Sequence, residues 1–445
     1  MILSVTPGTP LRGEVHLPGD KSLSHRAALL AGLAEGDSQI SNFLVSRVTR
    51  AMLDALSALG VAWELQGTTL KIHSAGIRGL QAPSGPVDCG NSATTLRLLA
   101  GALSATGVPA VLDGTDGLRR RPMRRIVGPL QQMGVDIHSR DGCAPLVLKR
   151  TSLPLHGIEH TMHVASAQVK SCLLLAGLAA DRATTLREPG PSRDHTERML
   201  RSMGCDITSR QIEGTSTSNA TCITRLNPPD KLHLPPIGMA LPGDFSAAAF
   251  LIVAALVTPG SKITLHSIGL NPTRTGLLDA LLAMGADIQV SERGEQYGEP
   301  VGSIFVRHSV LSGTLVEGPL VVRMIDEFPI FAIAGAYARG QTVIRDAAEL
   351  RHKESDRISA LCTELGKLGA AIQESPDGFT IRGKGDTIGG QVASHGDHRL
   401  AMALAVAGLA SRNPVRVQGA EMVAESFPDF ESTLTRLGSK LQRVA

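Results

Sequence analysis

The 445-residue sequence is poor in aromatic side chains, 3% with a single Trp, and so lacks the ring surface on which nucleic-acid binders stack bases. Its charges nearly cancel at +3, which excludes a global cationic field and leaves any recognition of anions to local groupings. Six cysteines (Cys89, Cys143, Cys172, Cys205, Cys222, Cys362) are scattered with no Cys-x-x-Cys pair; a chain of this length needs no disulfide staples, and reduced, mostly buried thiols are expected. The longest apolar runs, Ala247–Val257 and Leu400–Ala407, stop well short of the roughly 18 residues of a membrane span. The N-terminus shows no basic segment followed by an apolar one, so no secretory signal is expected and a cytoplasmic location is. P-loop, strand-borne GxGxxG, GxSxG and HExxH patterns are missing, which removes the usual support for nucleotide, dinucleotide, acyl-serine and zinc-protease chemistry. The one His cluster, His156, His160 and His163, lies in a strand-like stretch where the step from His160 to His163 sends side chains to opposite faces, a poor metal site. Neither a metal nor an organic cofactor is called for.

What the chain has is apolar mass and glycine. Hydrophobic residues are 42% and charged ones 19%, the balance of a folded protein of two or three domains, and the 47 glycines exceed ordinary usage, implying many tight turns. Several of those glycines recur in register. Leu59-Gly60, Met133-Gly134, Met203-Gly204, Met284-Gly285, Leu368-Gly369 and Leu437-Gly438 each follow an amphipathic stretch and precede alternating residues, at spacings of 69 to 84. The pattern predicts a helix ended by a C′ glycine and then a strand, repeated through the chain. A second, more apolar helix returns with the same period, beginning near Asp20, Gly90-Asn91-Ser92, Ser166, Asp244, Asp326-Glu327 and Asp397. These bodies are apolar nearly all round and should be buried. The tetrapeptide Leu-Pro-Gly-Asp stands at 17–20 and again at 241–244, three units apart, which predicts two lobes of three units: residues 1–20 with 241–445, and residues 21–240.

The starts of the buried helices concentrate the polar chemistry. An N-terminus presents free N–H groups and about half a positive charge, so several aimed at one place would bind anions. Lys21, Ser22 and Arg26 open the first such helix, with Ser22 and Arg26 four apart on one face. Lys353 and Arg357 repeat the i, i+4 spacing with Glu354 and Asp356 between them. Arg121 precedes Pro122, placing it at the N-cap of a helix running to Met133. Arg399 follows Asp397 at another buried start.

Taken in order, Leu17–Arg26, Gly90-Asn91-Ser92-Ala93-Thr94, Arg121-Pro122-Met123, Ser166–Ser171, Asn271-Pro272-Thr273-Arg274, Lys353–Arg357 and Asp397-His398-Arg399 closely resemble the 5-enolpyruvylshikimate-3-phosphate synthase family over essentially the whole chain. The resemblance implies an α/β fold, a two-lobed inside-out barrel of six βαβαββ repeats whose buried helices point into an interlobe cleft, with lobe closure on ligands. It implies that Lys21, Ser22, Arg26, Ser166, Ala167, Gln168, Arg193, Asp326 and Lys353 hold shikimate 3-phosphate. It gives phosphoenolpyruvate to Lys21, Arg121, Gln168, Arg357 and Arg399, beside Ala93, and makes Asp326, Glu354 and Lys21 the catalytic groups.

Two positions depart from the family's common pattern. Ala93 stands where many members have Gly, which implies the branch tolerant of glyphosate, with that compound a weak competitive inhibitor. Glu425 stands where others have a phosphate-binding Lys, a role an acid cannot fill. The sister transferase acting on UDP-N-acetylglucosamine usually has an Asn-Lys start and a reactive loop cysteine, which this chain lacks. A non-catalytic phospholigand-binding scaffold remains a further alternative. A monomer is expected.

Overall fold

The computed structural model describes residues 1–212 and 221–444. The six signature glycines all adopt the left-handed conformation expected of a C′ residue: φ is 86° at Gly60, 90° at Gly134, 89° at Gly204, 86° at Gly285, 82° at Gly369 and 109° at Gly438. Each follows a Leu or Met that caps the preceding helix, as Leu59 caps Arg47–Ala58 and Met284 caps Gly276–Ala283.

Among the described residues these repeats build six four-stranded sheets of one pattern. A short strand runs parallel to a second, which pairs antiparallel with a third, and the third pairs in turn with a fourth. Glu159–Thr161, Thr184–Pro189, Thr221–Leu226 and Ile207–Ile212 show it in one place. Gly390–Ala393, Val415–Gln418, Ile2–Thr6 and Lys440–Val444 show it in another, where the first strand of the chain completes the last repeat.

The chain forms two compact units. One comprises Met1–Pro18, Pro242–Gly294 and Pro300–Ala445; the other comprises Gly19–Leu241 and Glu295–Glu299. Both Leu-Pro-Gly-Asp copies fall at changes of unit. Arg12–His16 pairs with Lys262–Gly269 in the first unit, after which Asp20 caps helix Lys21–Leu33 in the second. Conversely, Gly238–Ala240 pairs with Glu35–Ser41 in the second unit before Asp244 caps Phe245–Val257 in the first. The sequence carries no repeat signature for the third excursion, residues 295–299. There Glu299 is buried and accepts a hydrogen bond from His195 Nδ1 at 2.7 Å within the second unit.

The second unit's core forms around helices Lys21–Leu33, Ala93–Thr106 and Ala167–Gly177, the first unit's around Phe245–Val257, Phe328–Tyr337 and His398–Ala407. All thirteen residues of Phe245–Val257 are buried. At about 1.5–3 kcal/mol for each large apolar side chain removed from water, such helices carry much of the folding drive. Helices Ala93–Thr106 and Ala167–Gly177 touch where a Cβ on Gly101 would lie 2.2 Å from the Cys172 carbonyl oxygen, an approach only glycine allows. The six cysteines are free thiols; burial pushes Cys172 up to about 12 and Cys205 up to about 11. No helix among the described residues is long and apolar enough to cross a membrane.

Candidate active site

In the second unit, three helix starts meet. Asp20 Oδ1 accepts from the Leu23 N–H at 2.8 Å and caps the helix whose first two residues are Lys21 and Ser22. One turn on, Arg26 is 4% exposed; Nε donates to Thr196 Oγ1 at 2.8 Å, Nη2 to Ser171 Oγ at 2.9 Å and Nη1 to the Ser22 carbonyl at 3.0 Å. Burial pulls Arg26 down to about 10 against the opposing charge of Glu197, and the positive charge of Arg193 pushes the same way. A buried guanidinium whose charge a neighbouring cation disfavours is a place where a bound anion gains most.

His25 joins this helix to the next. Nδ1 lies 2.8 Å from the Lys21 carbonyl and Nε2 3.3 Å from Ser92 Oγ, the N-cap of helix Ala93–Thr106. Burial drops this imidazole to about 4, so it is neutral at pH 7 and carries one N–H, while Nδ1 faces the Lys21 carbonyl and Nε2 faces both the Val48 carbonyl at 3.1 Å and Ser92 Oγ. Ala93, directly after the cap, is 2% exposed.

Ser166 and Ala167 open the third helix, and Gln168 follows in its first turn. Gln168 Nε2 donates to Thr94 Oγ1 at 2.9 Å, while its Oε1 accepts from Arg97 Nη1. Arg97 Nη2 also donates to the Pro122 carbonyl at 2.9 Å, beside Arg121. The N-cap expected of Arg121 is corrected here. Helix Arg124–Gln132 begins after Met123, because the Met123 N–H is drawn to the Gly142 carbonyl at 2.7 Å, and Arg121 lies in the bend before it.

The first unit holds the other candidates, gathered on Asp326. Its carboxylate lies 4.0 Å from Lys353 Nζ, 3.5 Å from Arg357 Nη1 and 3.6 Å from Arg399 Nη2. Lys353 and Arg357 do not share a helical face as their spacing suggested. Lys353 ends the 3-10 turn Ala348–His352 and Arg357 begins helix Arg357–Lys367, capped by Asp356, yet both reach the same carboxylate. Arg357 is 1% exposed and bound at 2.8 Å by Glu354 and at 2.7 Å by Asp397. Its burial opposes the charge, but Asp397, Glu354 and Asp326 together hold it more firmly protonated than an ordinary arginine. Arg357 in return keeps Asp397 below the usual carboxylate range despite burial. Arg399 also faces Glu327 at 3.8 Å, and Glu425 lies 3.7 Å from His398 Nδ1.

The candidates therefore form two clusters. Lys21, Ser22, Arg26, Ala93, Arg121, Ser166, Ala167, Gln168 and Arg193 belong to one unit; Asp326, Lys353, Glu354, Arg357 and Arg399 belong to the other. The sequence reading missed Arg97, although it is the one charge in an otherwise uncharged buried helix. It also missed Ser171, Thr196 and Glu327, small or acidic residues whose contacts depend on helix pairing. His156 pairs with Asp181 at 3.1 Å, and among the described residues no group of three metal-ligating side chains occurs.

Fold and site together define an α/β enzyme of the repeated-sheet kind, with its polar groups at buried helix starts. The enolpyruvyl transferase NikO from Streptomyces tendae shares the fold at 20% identity, TM-score 0.78, covering all of this chain and 98% of that one. The EPSP synthase (3-phosphoshikimate 1-carboxyvinyltransferase) family model matches residues 5–434. The 3-phosphoshikimate 1-carboxyvinyltransferase of Roseiflexus sp. (strain RS-1) is 46% identical, covering 99% of this chain and 100% of its own. The same enzyme of Desulforudis audaxviator (strain MP104C) is 48% identical over 98% and 99%. An EPSP synthase structure from Acinetobacter baumannii superposes with TM-score 0.86 at 39% identity, covering 99% of this chain and 100% of that one. The chain belongs to the EPSP synthase family.

Proposed function

We propose that this chain transfers the enolpyruvyl group of phosphoenolpyruvate to the 5-hydroxyl of shikimate 3-phosphate, releasing phosphate. The observation that carries this reading is the family match over residues 5–434, with the residues the family uses falling into two polar clusters. Arg26, with Lys21, Ser22, Ser166, Ala167, Gln168 and Arg193, would take the shikimate 3-phosphate, together with Asp326 and Lys353. Arg121, Arg357 and Arg399, with Lys21 and Gln168, would take the carboxylate and phosphate of phosphoenolpyruvate, for which separated guanidinium forks are suited.

In addition, the 5-hydroxyl oxygen bonds to C2 of phosphoenolpyruvate, the hydroxyl proton leaves and C3 gains a proton. In elimination, the C2–O bond to phosphate breaks and C3 loses a proton, restoring the double bond. Asp326 and Glu354 are the carboxylates assigned to these transfers, and Lys21 and Lys353 offset negative charge. Asp326 meets three cations within 4.0 Å and Glu354 accepts from Arg357, so both carboxylates are held in place by neighbours.

The finer reading places the chain in the Ala-containing, glyphosate-tolerant branch as a cytoplasmic monomer. The buried Ala93 methyl fills volume that glycine would leave. Release of inorganic phosphate by the purified protein, dependent on both substrates, tests the reaction. Turnover with UDP-N-acetylglucosamine in place of shikimate 3-phosphate, or none at all, would refute it.

A further inference from the structure

Behind the Arg26 and Arg193 cluster lies a buried charged group with no part in the reading above. Lys170 Nζ, on helix Ala167–Gly177, meets Glu188 Oε1 at 2.7 Å and Glu197 Oε1 at 2.8 Å, and all three side chains are 2% exposed or less. Glu188, next to last in strand Thr184–Pro189, grips Ser192 twice, accepting from its N–H at 3.1 Å and its hydroxyl at 2.6 Å. Lys170 Nζ donates to the carbonyl of the same Ser192 at 3.3 Å. Both backbone polar atoms and the side chain of Ser192 are thus fixed one residue before Arg193. On the other side, Glu197 is held by Lys170, and its neighbour Thr196 contacts Arg26 Nε at 2.8 Å and Ser171 Oγ at 2.6 Å.

A buried ion pair is weak support for stability, because well-packed apolar residues of similar volume serve as well or better. A single ammonium shared by two buried carboxylates is worse still unless the surplus negative charge has another partner. Here Arg26 is that partner, since Glu197 supplies the leading charge that favours protonated Arg26, while burial pushes the Glu197 carboxyl up against the pull of Lys170. One ammonium therefore touches the chain on both flanks of Arg193 while orienting the neighbours of Arg26.

We infer that Lys170, Glu188 and Glu197 act as positioning residues that hold the 190–194 loop so that Arg193 is presented to the phosphate of shikimate 3-phosphate. The inference rests on the proposed reading of Arg193 as a ligand of that substrate. It makes the cluster a determinant of one substrate's affinity and not of the other's.

Steady-state kinetics on the full chain test it, with Ser192→Ala, Lys170→Met, Arg193→Ala and the double variant Ser192→Ala/Arg193→Ala. Ser192→Ala is expected to raise KM for shikimate 3-phosphate about 3- to 10-fold, with kcat and KM for phosphoenolpyruvate within about twofold of wild type. Lys170→Met should do the same more strongly, and if it fails to fold, Ser192→Ala decides. In the Arg193→Ala background, removing the Ser192 hydroxyl should have no further effect. A Ser192→Ala effect that persists undiminished there, is absent altogether, or moves both KM values together overturns the inference. An unchanged KM for shikimate 3-phosphate in Arg193→Ala alone would instead remove the ligand role of Arg193, and the inference with it.

Discussion

Arg97 Nη2 donates to the Pro122 carbonyl at 2.9 Å while Nη1 donates to Gln168 Oε1, so one guanidinium ties together segments 25 and 71 residues away along the chain. Both partners neighbour or are proposed ligands of phosphoenolpyruvate. The close approach of the two helices at Gly101 brings Gln168 within reach.

Arg97→Met keeps the length and loses the donors. Hydrogen bonds to a charged group contribute about 1.5–3 kcal/mol each, so a rise of about 10-fold or more in KM for phosphoenolpyruvate is expected. KM for shikimate 3-phosphate should shift less. Initial-rate measurements with each substrate varied in turn check it.

Asp397 does two jobs that one substitution separates. Its Oδ1 caps helix His398–Ala407, accepting from Arg399 N–H at 2.9 Å, while its Oδ2 holds Arg357 Nε at 2.7 Å. Asp397→Asn retains a good cap but leaves buried Arg357 short of a counter-charge. Breaking such a pair costs on the order of 3–5 kcal/mol. Urea unfolding should show that loss; a midpoint within error of wild type would show that Glu354 and Asp326 suffice.

His25 links stability to pH. Its folded-state value of about 4 lies below the ordinary 6.5, so the unfolded chain binds the proton more readily. The contribution is fully present above pH 6.5 and is lost as pH falls towards 4, at roughly 1.4 kcal/mol per pH unit. His25→Gln should flatten that part of the stability profile measured by denaturant unfolding between those limits.

The repeat was the legible part of this protein. A left-handed glycine after a helix and a Leu-Pro-Gly-Asp before one are local devices, set by backbone sterics and capping, and they survive at Gly60 or Asp244 whatever the tertiary setting. The α/β class, the family and its reaction followed from motifs spread over the whole chain. Arg121 was misplaced because Pro122 suits a first helical turn, and only the Gly142 carbonyl, 19 residues on from Met123, decides that the helix starts later. The pairing of Arg357 with Asp397, and of Lys170 with Glu188, joins separate elements of the repeat and leaves no trace in spacing.

Ala93→Gly tests the branch. Removing the methyl at the start of helix Ala93–Thr106 should lower the inhibition constant for glyphosate, read as competition against phosphoenolpyruvate, by about 10-fold or more, a change of about 1.4 kcal/mol. Low-micromolar inhibition of the unaltered protein would place it outside the tolerant branch.

The central proposal is that Arg26 serves shikimate 3-phosphate and Arg399 serves phosphoenolpyruvate. KM values for each substrate in Arg26→Ala and Arg399→Ala, one residue from each unit, test it most directly. Arg26→Ala is predicted to raise KM chiefly for shikimate 3-phosphate and Arg399→Ala chiefly for phosphoenolpyruvate, each by about 10-fold or more. Wild-type KM for phosphoenolpyruvate in Arg399→Ala would contradict the account.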